Sequence, residues 1–289
     1  MKYLLLLLIF ASQLSFAQCE ASNDQCAPVN EWEFSLAVGA GILTNPLHGS
    51  SNIPLVLIPK ISFYGENIFF ENNALGYSFH ETDKFTVSAV GLINRENTFF
   101  SRWHPSNVFV PLESSSISTP SDSETITQDN TISKIELDDV AQRKWAVDAG
   151  MQVNWYVSAQ STLVMRLLHD INSTYNGFNG KVEYNHRFSA FDLPQTQWKI
   201  TTGLNWLSQQ QVDYYYGIGK KDTKNKSNYY QGKSAINPYI KLNTVYKINN
   251  NWRLTFTARA EHLPKAISNS PLVKNNLIKT IFLGVVYVY

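Results

Sequence analysis

Proton chemistry near neutral pH needs a side chain that titrates there, and this sequence carries six histidines: His48, His80, His104, His169, His186 and His262. A histidine set against a serine or an aspartate could serve a lipid hydrolase or a protease. His169 precedes Asp170, and His262 follows Glu261. On a strand, neighbouring residues point to opposite faces, so neither doublet can be a dyad, and a partner would have to come from an adjacent strand. Histidines at the rim of a sheet serve more simply as polar tips at an interface. The sequence has no phosphate-binding glycine loop, no zinc-ligand spacing and no nucleophile elbow. No enzymatic activity and no cofactor is expected.

A second set of side chains is more regular. Asp148, Arg166, Asp170, Lys181, Glu183, Arg187, Lys199, Lys241, Arg253, Arg259 and Glu261 stand at alternate positions of runs that are otherwise apolar. In WRLTFTARAEH, Arg253, Thr255, Thr257, Arg259 and Glu261 alternate with Trp252, Leu254, Phe256, Ala258 and Ala260. KWAVDAGMQVNWYV, QWKITTGLNW and KVEYNHRF repeat the pattern. A period of two identifies strands. It leaves open which face is inside: a soluble sandwich buries the apolar column, whereas a membrane barrel turns it to lipid and the polar column to the lumen.

Two features decide for the barrel. The runs reach ten residues or more, longer than the usual strand of about five or six. The apolar columns also carry aromatics near their ends, as in Trp145 with Trp155 and Trp198 with Trp206. At about 3.3 Å per residue and with tilt, that spacing matches an apolar band of about 25 Å. The fold class read from this is all-β, an antiparallel transmembrane β-barrel. Its aromatic girdle comprises Trp32, Trp145, Trp155, Trp198, Trp206, Trp252, Tyr287 and Tyr289. The charged column then lines the lumen. Its mixed signs fit a filled, hydrogen-bonded lumen or a narrow pore for small polar solutes, and both readings stay open here.

The elements that would position these residues follow from the turns. The chain closes on IFLGVVYVY, an apolar strand where most chains fray. A barrel whose last strand pairs with its first requires that strand to be ordered. Gly284 and the closing Tyr287 and Tyr289 resemble the terminal signal read by the barrel-assembly machinery. Backwards from there come a loop around Asn269-Ser270-Pro271, a tight turn at 249–251, a loop from Tyr215 to Ala235, a turn at 192–194, a short loop at Asn176-Gly177 and a turn at 158–160. Residues 96–143, which contain a polar Ser/Thr-rich run, read as a long mobile extracellular loop. DYYYGIGKKD marks an outer rim, with Tyr214 to Tyr216 at the membrane interface and Lys220 and Lys221 near lipopolysaccharide phosphates. In the first third, Pro59 hints at a bulge or bend. Splitting the stretch around Glu71-Asn72-Asn73 into two short strands gives twelve in all, with ten as the alternative.

The N-terminus, MKYLLLLLIFASQLSFAQ, has one lysine, a short apolar run and small residues before a break, so residues 1–17 read as a cleaved signal peptide. Residues 18–30 follow as a short periplasmic segment, and 31–289 form the barrel. Cys19 and Cys26 are the two cysteines, and in an oxidising compartment they would close a local disulfide. The net charge of +1, with scattered lysines and arginines, excludes nucleic acid as a partner.

EWEFSLAVGAGI, HGSSNIPLVLIPKISFYGENIFF, DYYYGIGKKD, YYQGKSAINPYIKL, NNNWRLTFTARAEHL and SNSPLVK occur in this order. In these pieces the chain resembles the MipA/OmpV family of outer-membrane proteins. The resemblance implies a Gram-negative outer membrane, contact with lipid and lipopolysaccharide, and a scaffold joining a lytic transglycosylase to a peptidoglycan synthase. Surface adhesion is a further role the family implies. The Ser/Thr-rich insertion departs from the family's compact pattern.

Overall fold

The computed structural model describes residues 29–100, 134–190, 193 and 195–289. The signal peptide, Cys19 and Cys26, His104 and the Ser/Thr-rich stretch lie outside the described residues. The alternating segments form twelve strands: β1 (Trp32–Leu43), β2 (Ile53–Tyr64), β3 (Ile68–Glu71), β4 (Ala74–Glu81), β5 (Phe85–Ile93), β6 (Val147–Ser158), β7 (Ser161–Asp170), β8 (Phe178–Phe188), β9 (Thr196–Leu207), β10 (Ala235–Lys247), β11 (Trp252–His262) and β12 (Leu277–Val288). Each pairs antiparallel with its neighbour in the chain, and β1 closes on β12. The expected split is present, since β3 and β4 meet at Asn72-Asn73. There Asn72 takes a φ of 56°, a left-handed conformation that asparagine tolerates.

Closure explains the ordered chain end. β12 pairs with β1 from Thr280 opposite Leu43 to Val288 opposite Ser35. The seam is tightest where Gly39 faces Gly284. A Cβ on Gly39 would stand 2.0 Å from the Leu283 carbonyl oxygen, so no larger residue fits without moving the backbone.

One end of the barrel carries short connections, at 65–67, 82–84, 159–160, 189–195 and 248–251. The other carries the long ones, at 44–52, 94–146, 208–234 and 263–276, together with the tighter connections at 72–73 and 171–177. These are called the turn end and the loop end below. Two of the long loops contain helices that strand periodicity does not reveal: α1 (Gln209–Tyr216) and α2 (Lys265–Ser268). The Ser208 side chain caps α1 by accepting from the Gln211 N–H.

The wall is uneven. β6 to β12 run 10 to 13 residues each, whereas β3 has four. β2 pairs with β3 only through Ser62, Phe63 and Tyr64. Asn72 adds one more rung, donating its N–H to the Ile61 carbonyl at 2.8 Å and accepting from the Ile61 N–H at 3.3 Å. Beyond it, residues 53–60 of β2 meet no strand on that side. Ile61 points both backbone groups towards β3, so by alternation Pro59 faces the open side. Proline has no N–H to leave unpaired there. The bulge hinted at by Pro59 is present nearby: the β1–β2 register shifts between Val38 and Gly41, and Val56 and Leu57 are both exposed.

The outward columns present apolar side chains to lipid. Trp32, Trp145, Trp155, Trp206, Trp252 and Tyr289 are exposed, while Trp198 and Tyr287 are half-buried against their neighbours. Trp145 lies two residues ahead of β6 rather than in it. The side chains that bury one another come largely from the loops. Leu47, Phe99, Ile135, Val212, Ile267 and Leu272 pack together at the loop end.

Candidate functional site

The lumen is the place where the charged column converges, and it divides into three levels. At the loop end it is filled by chain. Glu96–Phe99 forms a 3-10 turn directly after β5, and Phe99 is 2% exposed. Asn45 donates its side-chain N–H to the Phe99 carbonyl at 2.9 Å and holds this turn inside the β1–β2 loop. On α1, Val212, Tyr215 and Tyr216 form one face at the i, i+3, i+4 spacing, and all three are fully buried. This overturns the expectation that Tyr214 to Tyr216 lie at the membrane interface. An apolar helical face longer than the loop can hide must be buried, and the lumen is the nearest low-dielectric space. Lys220 and Lys221, just beyond, are exposed.

Polar latches secure this filling. Arg143 pairs with Asp222 at 2.9 Å, with both side chains buried. Arg143 also donates to the carbonyls of Ala141 and Gly217, and Asp222 accepts from the N–H groups of Ala141 and Gly219. Two long loops are thereby joined through one ion pair, which leaves the Arg143 Nε buried without a hydrogen bond. Tyr216 donates its hydroxyl to Glu96 at 2.5 Å, and Ser270 donates to the Tyr216 carbonyl at 2.6 Å. Burial pushes the Glu96 carboxyl above the usual carboxylate range, with the Tyr216 hydrogen bond opposing it in part. The described flank 94–100 is part of this packing, whereas 134–146 is anchored in it at Ile135 and Ala146 and is otherwise largely exposed. Their residues Phe99, Ile135 and Ala146 are all buried.

At the waist, mixed charges cross-link the wall. Glu183 accepts from Lys181, Asn185 and the Tyr239 hydroxyl. Gly203 makes room for that tyrosine, since a Cβ there would lie 2.5 Å from the Tyr239 ring. Glu261 accepts from Arg259 at 2.6 Å, from Asn205 at 3.0 Å and from Arg95 at 3.4 Å. The Arg259 guanidinium also lies 4.0 Å from the centre of the Tyr239 ring. Arg166 donates to Gln152 at 2.8 Å and stands opposite Lys181 in the ladder, as Lys241 stands opposite Arg259. Nearer the loops, Asp148 accepts from Asn94, Tyr175 and Asn179. Asp170 accepts three N–H groups of the tight 171–177 loop. These two carboxylates face one another in the ladder and are buried. A buried carboxylate without such donors would cost several kcal/mol, so each is held by its own set.

At the turn end, Arg187 and Arg253 face the mouth. Arg253 borders a recess together with Lys60 and Glu33, two residues whose inward position follows from the alternation in β1 and β2. Ala37, Ile58, Val245 and Val286 form its wall.

The described histidines do not converge. The His169 ring packs edge-on against Phe178 at 4.5 Å on the outer face, and Asp170 points the other way into the lumen. His262 ends β11 exposed. His186 does meet a serine from the adjacent strand, with Ser161 Oγ 2.9 Å from its Nδ1, and Tyr184 donates to the same oxygen. No carboxylate completes a triad among the described residues, and they hold no cluster fit for a metal ion. The residues that sequence reasoning missed are Arg95, Glu96, Arg143 and Asp222. All four lie in loops, where no period marks direction.

A family model described as MltA-interacting protein MipA matches residues 36–289. The chain is 24% identical over 260 residues to the MltA-interacting protein of Escherichia coli strain K12, covering 89% of this chain and 90% of that protein. It is 25% identical over 255 residues to the putative outer membrane protein YiaT of Escherichia coli O157:H7, covering 88% and 89%. It is 26% identical over 132 residues to the outer membrane protein OmpV of Vibrio cholerae, covering 46% and 50%. Twelve closed strands with lipid-facing aromatics, together with relatives named as outer membrane proteins, place the protein in the outer membrane. The chain belongs to the MipA family of outer-membrane β-barrels.

Proposed function

We propose that this protein is a non-enzymatic scaffold that brings a peptidoglycan hydrolase and a peptidoglycan synthase together at the inner face of the outer membrane. The observation that supports this reading is the filled lumen. Buried aromatics occupy the loop end and paired charges cross the waist, so conduction is a poor use of this barrel. The name of the Escherichia coli relative, which refers to interaction with MltA, points the same way. Contact with soluble partners falls to the periplasmic turns and to the segment 18–30 that leads into β1.

The test is to cross-link intact cells carrying a tagged copy, solubilise the envelope and identify what is recovered. A murein hydrolase or synthase supports the scaffold. An eluate containing only assembly factors and lipopolysaccharide removes it. Planar-bilayer recordings then decide the channel reading, for which single-channel steps altered by charge reversal at Arg253 or Arg259 are required.

A further inference from the structure

Arg143, Arg259 and Arg253 sit in very different surroundings. Arg143 pairs with Asp222 and donates to two carbonyls. Arg259 is bonded to Glu261 and stacked on Tyr239. Arg253, six residues earlier on the same face of β11, has no hydrogen bond or ion pair among the described residues. It projects into the recess at the turn end, a small cavity of about 80 Å³ that is open on one side.

The recess has a definite chemistry. Lys60 adds a second cation. The one carboxylate is Glu33, 3.9 Å from the Lys60 ammonium and also accepting from Ser62 at 3.3 Å. The balance within the recess is therefore one positive charge, part-enclosed, where a charge acts more strongly than in open water. A guanidinium presents donors in a planar fork that fits a carboxylate with two parallel hydrogen bonds. Beside it Ile58, Val245 and Val286 form an aliphatic wall with nothing polar to offer. Towards the loops lie the paired charges of the Arg259–Glu261 and Glu183 clusters, and the recess is reached from the turn end.

We propose that this recess binds a carboxylate carried on a small aliphatic group, with Arg253 and Lys60 on the carboxylate and the Ile58–Val245–Val286 wall on the hydrocarbon. Two sources have this chemistry: a free short-chain acid, and the C-terminus of a peptide ending in a small apolar residue. The site stands apart from the scaffold reading and survives its failure.

The test uses the full-length mature barrel refolded in detergent micelles and titrated by calorimetry. The probes are N-acetyl-alanyl-alanine with a free C-terminus, the same peptide as its C-terminal amide, and isobutyrate. The free-acid peptide is expected to saturate the barrel and the amide to fail. Arg253→Met should weaken binding about tenfold or more, since a charged hydrogen-bond pair is lost. Lys60→Met should weaken it less. Equal binding of acid and amide, no saturation by any acid, or an unchanged affinity in the Arg253→Met protein overturns the proposal. Arg253→Lys keeps the charge without the fork and is expected to fall between. It also covers the case in which the methionine variant does not refold. Isobutyrate binding as tightly as the peptide assigns the site to free acids, and binding of the peptide alone assigns it to a chain terminus.

Discussion

The two ends of this lumen are built on opposite plans. The loop end is packed like the interior of a soluble protein: Tyr215, Tyr216, Leu47, Ile267 and Leu272 are completely buried, and each buried charge there has a partner. The turn end keeps a half-open recess and an arginine without a hydrogen-bond or ion-pair partner among the described residues. A membrane barrel turns its apolar strand faces outward, so they cannot form a core between them. The core is made instead by loops folding into one mouth. The end that receives them becomes stability, and the end left empty is available for recognition.

The strongest way to break this contrast is to cut the latch. Arg143→Ala leaves Asp222 buried and unpaired, which is expected to cost about 3–5 kcal/mol, felt as loss of hydrogen-exchange protection in α1 and 134–146. The strands should keep their protection; if they melt together with the loops, filling and wall are one cooperative unit. Tyr216→Phe removes the donor to Glu96 and is expected to cost about 1–3 kcal/mol in urea unfolding. Pro59→Val tests the wall by sign. If Pro59 faces an open edge, the new N–H is unpaired in apolar surroundings and stability falls by about 1–3 kcal/mol. A gain would mean that a partner waits there.

A smaller effect is a slope with pH. Glu96 binds its proton more tightly folded than unfolded, because burial holds its carboxyl above the usual range. Its contribution is full below the unfolded carboxylate value and is lost as pH rises through the higher folded one. Amide protection of residues 96–99 and α1 should therefore weaken on moving from acid towards neutral pH, and Glu96→Gln should flatten the trend. The smallest effect sharpens the comparison most. Arg253→Met, the same residue type at the other end, should change stability by no more than about 0.5 kcal/mol. A loss as large as that of Arg143→Ala would show that the recess too is structural.

Much of the wall was readable beforehand. Alternation in WRLTFTARAEH assigned Arg253, Arg259 and Glu261 to one face, and all three lie in the lumen. The short β3–β4 pair was legible from Glu71-Asn72-Asn73, because turn chemistry interrupts the pattern. The misreading of DYYYGIGKKD has a definite cause. Three adjacent tyrosines suggest an interface belt, but VDYYY also carries an i, i+3, i+4 stripe, which favours a helix with one buried face. Nothing local chooses between the two.

Strand existence, facing and the sealed chain end were thus settled by the sequence alone, because a period of two is a property of neighbours along the chain. Which loops enter the lumen, which carboxylate meets which arginine, and where a cation is left unpaired were settled only by the tertiary structure. Arg143 and Asp222 are 79 positions apart, and Arg95 and Glu261 are 166 apart. Contacts at that distance arise when the barrel closes and brings the loop ends together, and no shorter stretch of chain carries their imprint.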